Sequence, residues 1–463
     1  MFLPYSIANV LRRFFAMLIF AFSLTSCSDL EEKPLTEEEK QKLMGSLLTQ
    51  VQVNLAFVAG NDYGVFSALL AQQISGVSGK SLRVDQYGIT PFDTDPTWIA
   101  FYSGVLNLSR DIKELAVETG QKKYEAMAHT LQAHTVGMIT DVWGDVPFSQ
   151  TFIEHQDNVF FPTYDSQQDI YLYIFTLLNE AEVLFNDAGS FFFPGQEDLF
   201  FGGDVNQWKA YVNYLRMRYQ LNLSGRMGYA QADAMMDESM FFQPGEALRV
   251  NFGEQEFFSN PLFGYLSQNA NNLRAGETLV NLMEDNDPRL SVFFKPNGEG
   301  IIAGARAGTG DGNASRLGDF ISTEGASVTL ASYTEQKFMK AEIHFQMGRT
   351  ALAQQAFEQA MESSLRDFGV YDAQWLDSFL NNQSLDLQTI MEQKYIALFM
   401  QPQVWTDWRR NGYPVLQPAA ENHTGDLIPR RFPYPQNEYE YNRNNIPGNF
   451  EIWEGVWWDV NQE

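Results

Sequence analysis

Cys27 is the only cysteine in the chain, and its thiol is the first candidate for chemistry. It follows an apolar run, Phe14–Leu24, which is preceded by Arg12 and Arg13 and closed by small residues. A basic start, a short apolar stretch and small residues at a cleavage point are typical of an export signal. The run is shorter than the roughly 20 residues that a membrane-spanning helix needs. The thiol has no second cysteine to pair with, which favours a role other than disulfide bridging.

The end of this segment, Leu24-Thr25-Ser26-Cys27, resembles the lipobox of bacterial lipoproteins. The resemblance implies that the signal is cut before Cys27 and that the thiol and the new amino terminus are acylated. One acyl chain holds a protein at a membrane only marginally, whereas two or more hold it stably. The alternative is an ordinary secretory signal that ends at a chance cysteine.

An acidic stretch, Ser28-Asp29-Leu30-Glu31-Glu32, follows the cysteine. It resembles the signal that sends lipoproteins of Bacteroidetes to the outer face of the outer membrane, which implies a lipid-anchored protein exposed at the cell surface. A plain flexible spacer is the alternative. We therefore divide the chain into a lipoprotein signal peptide (1–26), a lipidated acidic spacer (27–35) and a single domain (36–463).

The composition predicts an acidic domain with a large core. The chain has 463 residues, enough to bury one large core or two moderate ones. Its formal net charge of −27 disfavours binding to nucleic acid or to an anionic membrane surface. The many phenylalanines are expected in the core, whereas tyrosine and tryptophan also suit recognition surfaces. After the signal, no apolar run is predicted to be long and uncharged enough to span a bilayer.

Apolar residues recur at helical spacing over residues 36–240 and again over 329–413, and these stretches are predicted to form a helical scaffold. A capping box at Thr36 and Glu39 is expected to start the first helix. The glycines and prolines over 76–96 instead predict an irregular segment. Residues 241–328 and 414–463 are rich in Gly, Asn and Pro and predict loops with short elements. Further helices are predicted over 124–143, 166–186, 206–228, 230–240, 277–283 and 386–400.

The stretch that starts at Tyr333 carries a repeat-like pattern. Small residues, a turn glycine and a large aromatic residue recur at tetratricopeptide spacing in Ala341, His344, Gly348, Ala353, Phe357 and Ala360. Small residues let paired helices approach closely, and large residues fill the gaps between them. His344 departs from the pattern, which has an aromatic residue there. The pattern predicts a pair of packed helices.

Several segments, taken in order along the chain, resemble the SusD/RagB family of nutrient-binding outer membrane lipoproteins. They are the Leu24–Cys27 box, Thr140–Pro147, Phe338–Glu342, Glu392–Phe399, Trp405–Pro414, and Arg430–Pro435 with Glu438 and Asn442. The resemblance implies a mainly α fold, in which tetratricopeptide-like helix pairs form an α-superhelical scaffold packed against a loop-rich irregular half. It also implies a non-catalytic lid that binds a glycan or an oligopeptide and delivers it to a TonB-dependent, SusC-like outer membrane transporter.

Ligand residues of that family lie in its variable half and do not carry over by motif, so candidates are chosen by their chemistry. Aromatic planes cover the C–H faces of sugar rings, while amides, guanidinium groups and carboxylates bond the hydroxyls. Two loop regions mix these side chains. The candidates are Arg83, Asp85, Tyr87 and Trp98 in the first region, and Tyr265, Gln268, Asn269, Asn271, Asn272 and Arg274 in the second. The alternatives are a core position for Trp98 and a solvated loop for the asparagines.

Other motifs are interpreted as structural. The glycines over 304–312 lack the Gly-Lys-Ser/Thr of a phosphate loop and predict a mobile loop. His129 and His134 are off the i,i+4 spacing that a helical metal pair needs, so no metal site or cofactor is predicted. A helix end is expected to hold packed tryptophans, with arginines bonded to acids or carbonyls, at Trp405, Trp408, Arg409 and Arg410.

Two other classes of function stay open. A helical glycoside hydrolase would bring two carboxylates together in an aromatic cleft, with the pKa of one of them raised. A tetratricopeptide scaffold that binds only protein would present a concave groove free of loops, and the long stretch over 241–328 argues against it. No Gly-x-Ser-x-Gly nucleophile occurs in the sequence.

Overall fold

The computed structural model describes residues 35–460, apart from 154–158, 188, 190–193, 237–240, 254–258, 270 and 284–285. Contacts along the backbone divide the chain into two units, Met1–Leu43 and Met44–Glu463. Cys27, the signal at 1–26 and most of the acidic spacer lie outside the described residues. The cleavage, the acylation and the domain limits therefore stay predictions.

The first half of the described chain is mostly helical. The predicted capping box starts its first helix, because Thr36 N donates to Glu39 Oε2 (2.7 Å) and Glu39 N donates to Thr36 Oγ1 (3.3 Å). These bonds satisfy backbone N–H groups that a helix start otherwise leaves free. The helices of this half are α1 (Glu37–Gly60), α2 (Asp62–Leu70), α3 (Gly79–Asp85), α4 (Pro91–Phe101), α5 (Asn107–Thr119), α6 (Lys122–Trp143), α7 (Gln167–Asn186), α8 (Val205–Asn222), α9 (Ser224–Met227) and α10 (Ala230–Ala234).

Helices α6, α7 and α8 pack on one another. The end of α6 and the start of α8 carry residues that suit a helix terminus. Gly144 follows α6 with a φ of 84°, which glycine adopts without steric cost. The side chain of Asp204 caps α8 by accepting from the backbone N–H of Asn206.

The irregular segment predicted over 76–96 is wrong in part, because α3 forms within it and α4 begins at Pro91. Proline suits the first turn of a helix, where its missing N–H would have had no partner. Thr90 and Asp93 add a capping box, in which Thr90 N donates to Asp93 Oδ2 (2.8 Å). Residues that break a helix interior therefore start a helix here.

By length and composition, residues 37–70 also contradict the expectation that no later segment could span a membrane. This stretch, α1 and α2, has a mean hydropathy of 1.3 in its most apolar window. More than half of that window is buried inside the protein, however. A core helix of a folded domain has this composition for the same reason as a membrane helix, because both are surrounded by apolar groups.

The stretch over 241–328 is loop-rich, as predicted, and short elements tie it to the helices. Two antiparallel sheets of two strands each pair β1 (Ile74–Gly76) with β3 (Leu273–Ala275) and β2 (Ala247–Val250) with β4 (Val328–Ser332). The short helices are α11 (Pro261–Gln268), α12 (Glu277–Leu282), α13 (Leu290–Phe293) and α14 (Asp319–Ser322). Helix α12 confirms the helix predicted over 277–283.

The repeat-like pattern forms a helix pair, α15 (Tyr333–Gln346) and α16 (Thr350–Asp367). Gly348 makes the turn between them with a φ of 73°. Ala341, Ala353 and Ala360 are fully buried, as close packing of the predicted pair requires. The remaining helices are α17 (Ala373–Asn382), α18 (Leu387–Ala397), α19 (Gln403–Asn411) and α20 (Gln436–Tyr441), the last of which lies in the predicted C-terminal loop.

Buried ion pairs connect α8, α15, α18 and α19. Each charge in this set is almost fully enclosed, so removing one partner would leave the other unpaired in the interior. The network explains how helices that are distant in sequence hold one arrangement. The pairs are Arg218–Glu335 (2.7 Å), Lys394–Asp407 (2.7 Å), Arg410–Asp407 (3.1 Å) and Arg410–Glu342 (2.7 Å).

The structural interpretation of the helix end at 405–410 is confirmed. Trp405 is fully buried and stacks on Phe432 at 5.2 Å between ring centroids. Arg409 donates to the carbonyl oxygens of Asp141 (2.6 Å) and Arg430 (2.8 Å). The guanidinium group therefore joins the ends of α6 and α19 to the C-terminal segment.

Candidate functional site

The two loop regions chosen from the sequence are brought together by β1 and β3. Ser75 and Arg274 face each other across this strand pair. Close to it, Ser81 of α3 shares a hydrogen bond with Tyr265 OH (2.6 Å) and donates to Asn272 Oδ1 (3.0 Å). Asp85, which bonds Ser75, therefore lies in one neighbourhood with Tyr265, Asn272 and Arg274, whereas Trp98 packs elsewhere, on Tyr102 and Trp143. Whether they contact a ligand stays a prediction.

Within the first region, Arg83 is held by Asp93. Its Nη1 and Nη2 each lie 2.6 Å from a different carboxylate oxygen, and Nη1 also donates to Gly88 O. This bidentate hydrogen bond to Asp93 raises the pKa of the guanidinium group. The Arg83 side chain is 39% exposed, so part of it remains open to solvent beside its bonded face.

Asp85 and Tyr87 are buried, and each one bonds the backbone of another loop. Asp85 Oδ2 accepts from Ser75 Oγ (2.7 Å), Gly76 N (3.1 Å) and Gly308 N (2.8 Å). Burial nevertheless raises the pKa of Asp85 to about 7. Burial also raises the pKa of Tyr87 to about 12, and its hydroxyl accepts from Ala419 N (2.9 Å). In this structure, both side chains tie loops together.

Trp98 belongs to α4, and its side chain packs in the aromatic core. Its ring stands edge-on to Trp143 at 5.1 Å and tilts over Tyr102 at 4.6 Å, and only 6% of the residue is exposed. These contacts match the alternative of a core position. Its role as a ligand residue stays a prediction, and in this conformation its ring is covered by protein.

The second region divides into buried and exposed members. Tyr265 and Asn272 are buried, and Asn272 Nδ2 donates to Ser78 O (2.9 Å). Asn269 donates to Tyr265 O (2.8 Å), and Asn271 takes a φ of 52°, which asparagine tolerates in a turn. Gln268 is exposed. The asparagines therefore form a turn that is bonded to the protein, and only part of this segment matches the alternative of a solvated loop.

Arg274 is the candidate that borders an open cleft. Its Nε donates to Gly312 O (3.0 Å), and its Nη1 donates to Asn271 O and Leu273 O (both 2.8 Å). Burial and the nearby charge of Arg316 lower the pKa of Arg274. The two guanidinium groups are therefore close enough to influence each other.

We call this the arginine cleft. It has a volume of about 600 Å³, within the roughly 300–1,000 Å³ that is usual for ligand pockets. Turns of the loop-rich stretch form most of its wall. Its lining residues are Arg274, Pro296, Asn297, Gly298, Glu299, Gly312, Asn313, Ala314 and Arg316. The sequence predicted loops over 241–328 and a mobile loop over 304–312, and nothing in it connected these turns with Arg274.

A second opening, which we call the amide cleft, has a volume of about 390 Å³. It lies between α12, the start of α18 and the segment after α19. Burial raises the pKa of Glu392 on its wall. Its lining residues are Gln72, Glu277, Thr278, Asn281, Leu282, Arg306, Ala307, Gln388, Glu392, Pro414, Val415, Gln417 and Pro418. No sequence signal pointed to it, because these residues come from five separate segments of the chain.

The amide cleft bears on the hydrolase alternative. It brings two carboxylates, Glu277 and Glu392, to one opening, and one of them has a raised pKa. Among the described residues, however, no aromatic side chain lines it. A third depression does contain Phe320 and Phe399 beside Arg249, but at about 80 Å³ it is too small for a ligand of ordinary size.

The glycine-rich loop is packed at its centre, although it was predicted to be mobile. Gly308 N bonds the buried Asp85, and a Cβ on Gly308 would lie 2.1 Å from Ala420 O. Only glycine fits so close to Ala420 O, and Gly308 also has a φ of 80°, which favours glycine. Within the described part of the chain, no group of three His, Cys, Asp or Glu side chains is placed to hold a metal ion.

Packed helix pairs beside a loop-rich half that carries open polar clefts define a class of helical binding protein. The chain belongs to the SusD-like family, since a family model described as "Starch-binding associating with outer membrane" matches residues 35–435. This match and the helical architecture confirm the family and the fold class that the sequence motifs implied. No curated protein matches the chain.

Solved structures support the same fold. A chitin-binding protein superposes with a TM-score of 0.77 at 23% identity, covering 90% of this chain and 100% of its own. A chitin-binding SusD homolog from Flavobacterium johnsoniae gives 0.76 at 21% identity, covering 91% and 99%. A SusD/RagB family protein from Bacteroides thetaiotaomicron gives 0.77 at 21% identity, covering 90% and 99%. At these identities the similarity shows the fold alone.

Proposed function

We propose that this protein is a non-catalytic glycan-binding lipoprotein of the outer membrane. The family match over residues 35–435 carries the proposal, because that family is described as starch-binding and as associating with the outer membrane. The chitin-binding names of two similar structures support a glycan as the ligand class. An oligopeptide ligand is the alternative within the same family.

The clefts supply suitable chemistry for a glycan. Amide and carboxylate groups line the amide cleft, and guanidinium and amide groups line the arginine cleft. Such groups bond sugar hydroxyls from several directions and fix the orientation of a ring. Both clefts lie at the loop-rich half, where loops can vary without disturbing the helical scaffold.

We further propose that Cys27 carries the lipid anchor, that the domain is exposed at the cell surface, and that it hands its ligand to a TonB-dependent, SusC-like transporter. The lipobox and the acidic stretch after it support the anchor and the surface location. Capture and delivery need no bond to be broken. A binding protein with two open clefts can therefore serve a transporter without being an enzyme.

Glycan binding is tested with the purified full-length protein in detergent, on a glycan array and then by isothermal titration. The ligands are chitin oligosaccharides, starch oligosaccharides and a control peptide library. We expect saturable binding of at least one glycan and no release of reducing ends. Asn281→Ala, in the amide cleft, should weaken a ligand bound there several-fold, because one hydrogen bond contributes about 1 kcal/mol.

The matched control is Asn382→Ala, since Asn382 is also an exposed asparagine on a helix but lies outside both clefts. Its affinity should equal that of the unchanged protein. Binding of peptides with no binding of any glycan would contradict the proposal. Steady release of reducing ends, abolished in Glu392→Gln, would favour the hydrolase instead.

A further inference from the structure

The arginine cleft differs in charge from the molecule that carries it. The whole chain has a formal net charge of −27, so most of its surface repels anions. Two arginines, Arg274 and Arg316, nevertheless face the same opening. Clustered like charges without partners disfavour each other, so such a pair needs a reason in the fold or in a ligand.

Hydrogen bonds within the fold account for two of the three guanidinium nitrogens of Arg274. Its Nε and Nη1 satisfy three backbone carbonyl groups, which fixes the plane of the guanidinium group at the edge of β3. Its Nη2 has no hydrogen-bond partner among the described residues. A fixed guanidinium plane with a free edge suits an acceptor that comes from outside, because little side-chain entropy remains to be lost.

The fold gives no reason for the side chain of Arg316. The residue is exposed, and its backbone carbonyl accepts from Lys295 N (2.9 Å). Within the described part of the chain, its guanidinium group forms no hydrogen bond or ion pair. The neighbouring Lys295, in contrast, is neutralised by Asp319 at 2.5 Å. Arg316 therefore keeps its full donor capacity beside the free edge of Arg274.

Two carboxylates lie near the arginines but do not pair with them. Asp311 counteracts part of the effect of Arg316 on the pKa of Arg274, and its Oδ1 accepts from Asn313 N (2.9 Å) within a turn. Glu299 lines the opening at an exposed turn, and its backbone N–H donates to Asn297 Oδ1 (3.0 Å). Neither acid comes within ion-pair distance of a cleft arginine among the described residues.

We propose that the arginine cleft binds an anionic substituent of a saccharide, a carboxylate or a sulfate group. Arg274 Nη2 and the Arg316 fork would bond the anion, and Asn313, whose side-chain amide is unengaged within the described chain, would bond a ring hydroxyl. Arginine is suited to this role, because its planar fork matches both groups with two parallel bonds. The inference rests on the proposed glycan binding and names acidic saccharides as its ligand class.

The test compares three saccharides by isothermal titration with the full-length protein. Tetragalacturonic acid carries carboxylates, a chondroitin sulfate tetrasaccharide carries sulfates as well as carboxylates, and chitotetraose is neutral. We expect at least one anionic saccharide to bind ten times more tightly than chitotetraose. The affinity for the anionic saccharide should fall as the sodium chloride concentration rises, and the affinity for chitotetraose should not, because salt screens exposed charges.

The variants are Arg316→Ala and Arg316→Lys, with Arg366→Ala as the matched control. Arg316→Ala should lose about tenfold in affinity for the anionic saccharide, and Arg316→Lys should recover part of that loss, since lysine keeps the charge but not the fork. Arg366 is an exposed arginine of α16 outside both clefts, so its variant removes the same charge from the chain and should bind normally. Circular dichroism confirms that each variant is folded.

Two results would overturn the inference. Chitotetraose could bind as tightly as both anionic saccharides, or Arg316→Ala could leave the affinity for them unchanged. In either case, binding of the neutral saccharide would leave the proposed glycan binding intact. Failure of all three saccharides to bind would overturn this inference, while the glycan array with its starch oligosaccharides tests the proposed glycan binding separately.

Discussion

At the scale of single residues, polar side chains near the clefts hold loops in place. Asp85 is the clearest example, because one of its oxygens accepts hydrogen bonds from β1 and from the loop at Gly308. The other oxygen, Oδ1, is buried and has no hydrogen-bond partner among the residues that the structure describes. Burial therefore opposes ionisation of a carboxyl group whose hydrogen bonds favour it, and burial is the larger effect.

This balance predicts a pH dependence of stability. The pKa of Asp85 is about 7 in the folded protein and 3.8 as its ordinary value, so the unfolded chain ionises first as pH rises. The contribution of Asp85 to stability is full below pH 4 and is lost as pH rises to about 7. A shift of this size corresponds to roughly 4 kcal/mol.

Asp85→Asn removes the titration while keeping an acceptor for Gly308 N. The variant's free energy of unfolding, measured in urea at pH 5 and at pH 8, should rise relative to that of the unchanged protein as pH increases. Asp93→Asn is a useful comparison, because the hydrogen bonds from Arg83 and Thr90 outweigh burial and lower the pKa of that carboxyl group. Equal pH profiles for Asp85→Asn and the unchanged protein would refute this account.

The candidate residues also show what a sequence can reveal about a site. Composition and turn signals selected two regions, and β1, β3 and α3 bring part of them together at Tyr265, Asn272 and Arg274. The sequence did not separate Arg274, which borders a cleft, from Trp98, which is covered by Tyr102 and Trp143. Exposure depends on partners from distant segments, and a single sequence gives no direct signal for such pairs.

At the scale of elements, small residues set how closely paired helices approach. Ala341 of α15 and Ala353 and Ala360 of α16 are fully buried. A larger side chain at such a position must push the helices apart or take a strained rotamer. This restraint is local in sequence, which is why the spacing of the pattern predicted the pair.

Ala353→Leu should therefore lower the free energy of unfolding by about 1–3 kcal/mol. Ala351→Leu is the control, because Ala351 is exposed on the same helix and receives the same added carbons. Thermal denaturation followed by circular dichroism measures both. If the two variants melted at the same temperature, close packing at Ala353 would not contribute to stability as argued.

Caps and helical spacing located most helices of the scaffold, and the failures have identifiable causes. Gly79 and Pro91 were interpreted as helix breakers, but each stands at the first position of a helix, α3 and α4. There, glycine and proline cost little, because the first N–H groups have no partner within the helix. Pro96 lies inside α4, however, so a position at the start of a helix explains only part of the error.

At the scale of the whole domain, the C-terminal segment connects elements that are far apart in sequence. It was predicted as loop, and beyond α20 it has little regular structure. Its contacts are nevertheless extensive, because Arg430 bonds Asp459 at 2.5 Å and Trp458 Nε1 donates to the buried Asp141 of α6 at 3.0 Å. Arg431 also donates to Trp143 O at the end of α6.

Trp458 gives the sharpest test of this role. It is almost fully buried, so Trp458→Ala would leave a large cavity and remove one of the hydrogen bonds to Asp141, whose pKa burial already raises to about 6. We expect the free energy of unfolding to fall by about 3–5 kcal/mol. The neighbouring Trp457 is only partly buried beside Arg226, so Trp457→Ala should cost less. Urea denaturation followed by circular dichroism measures both variants, and equal losses would show that the C-terminal segment covers the helices without holding them together.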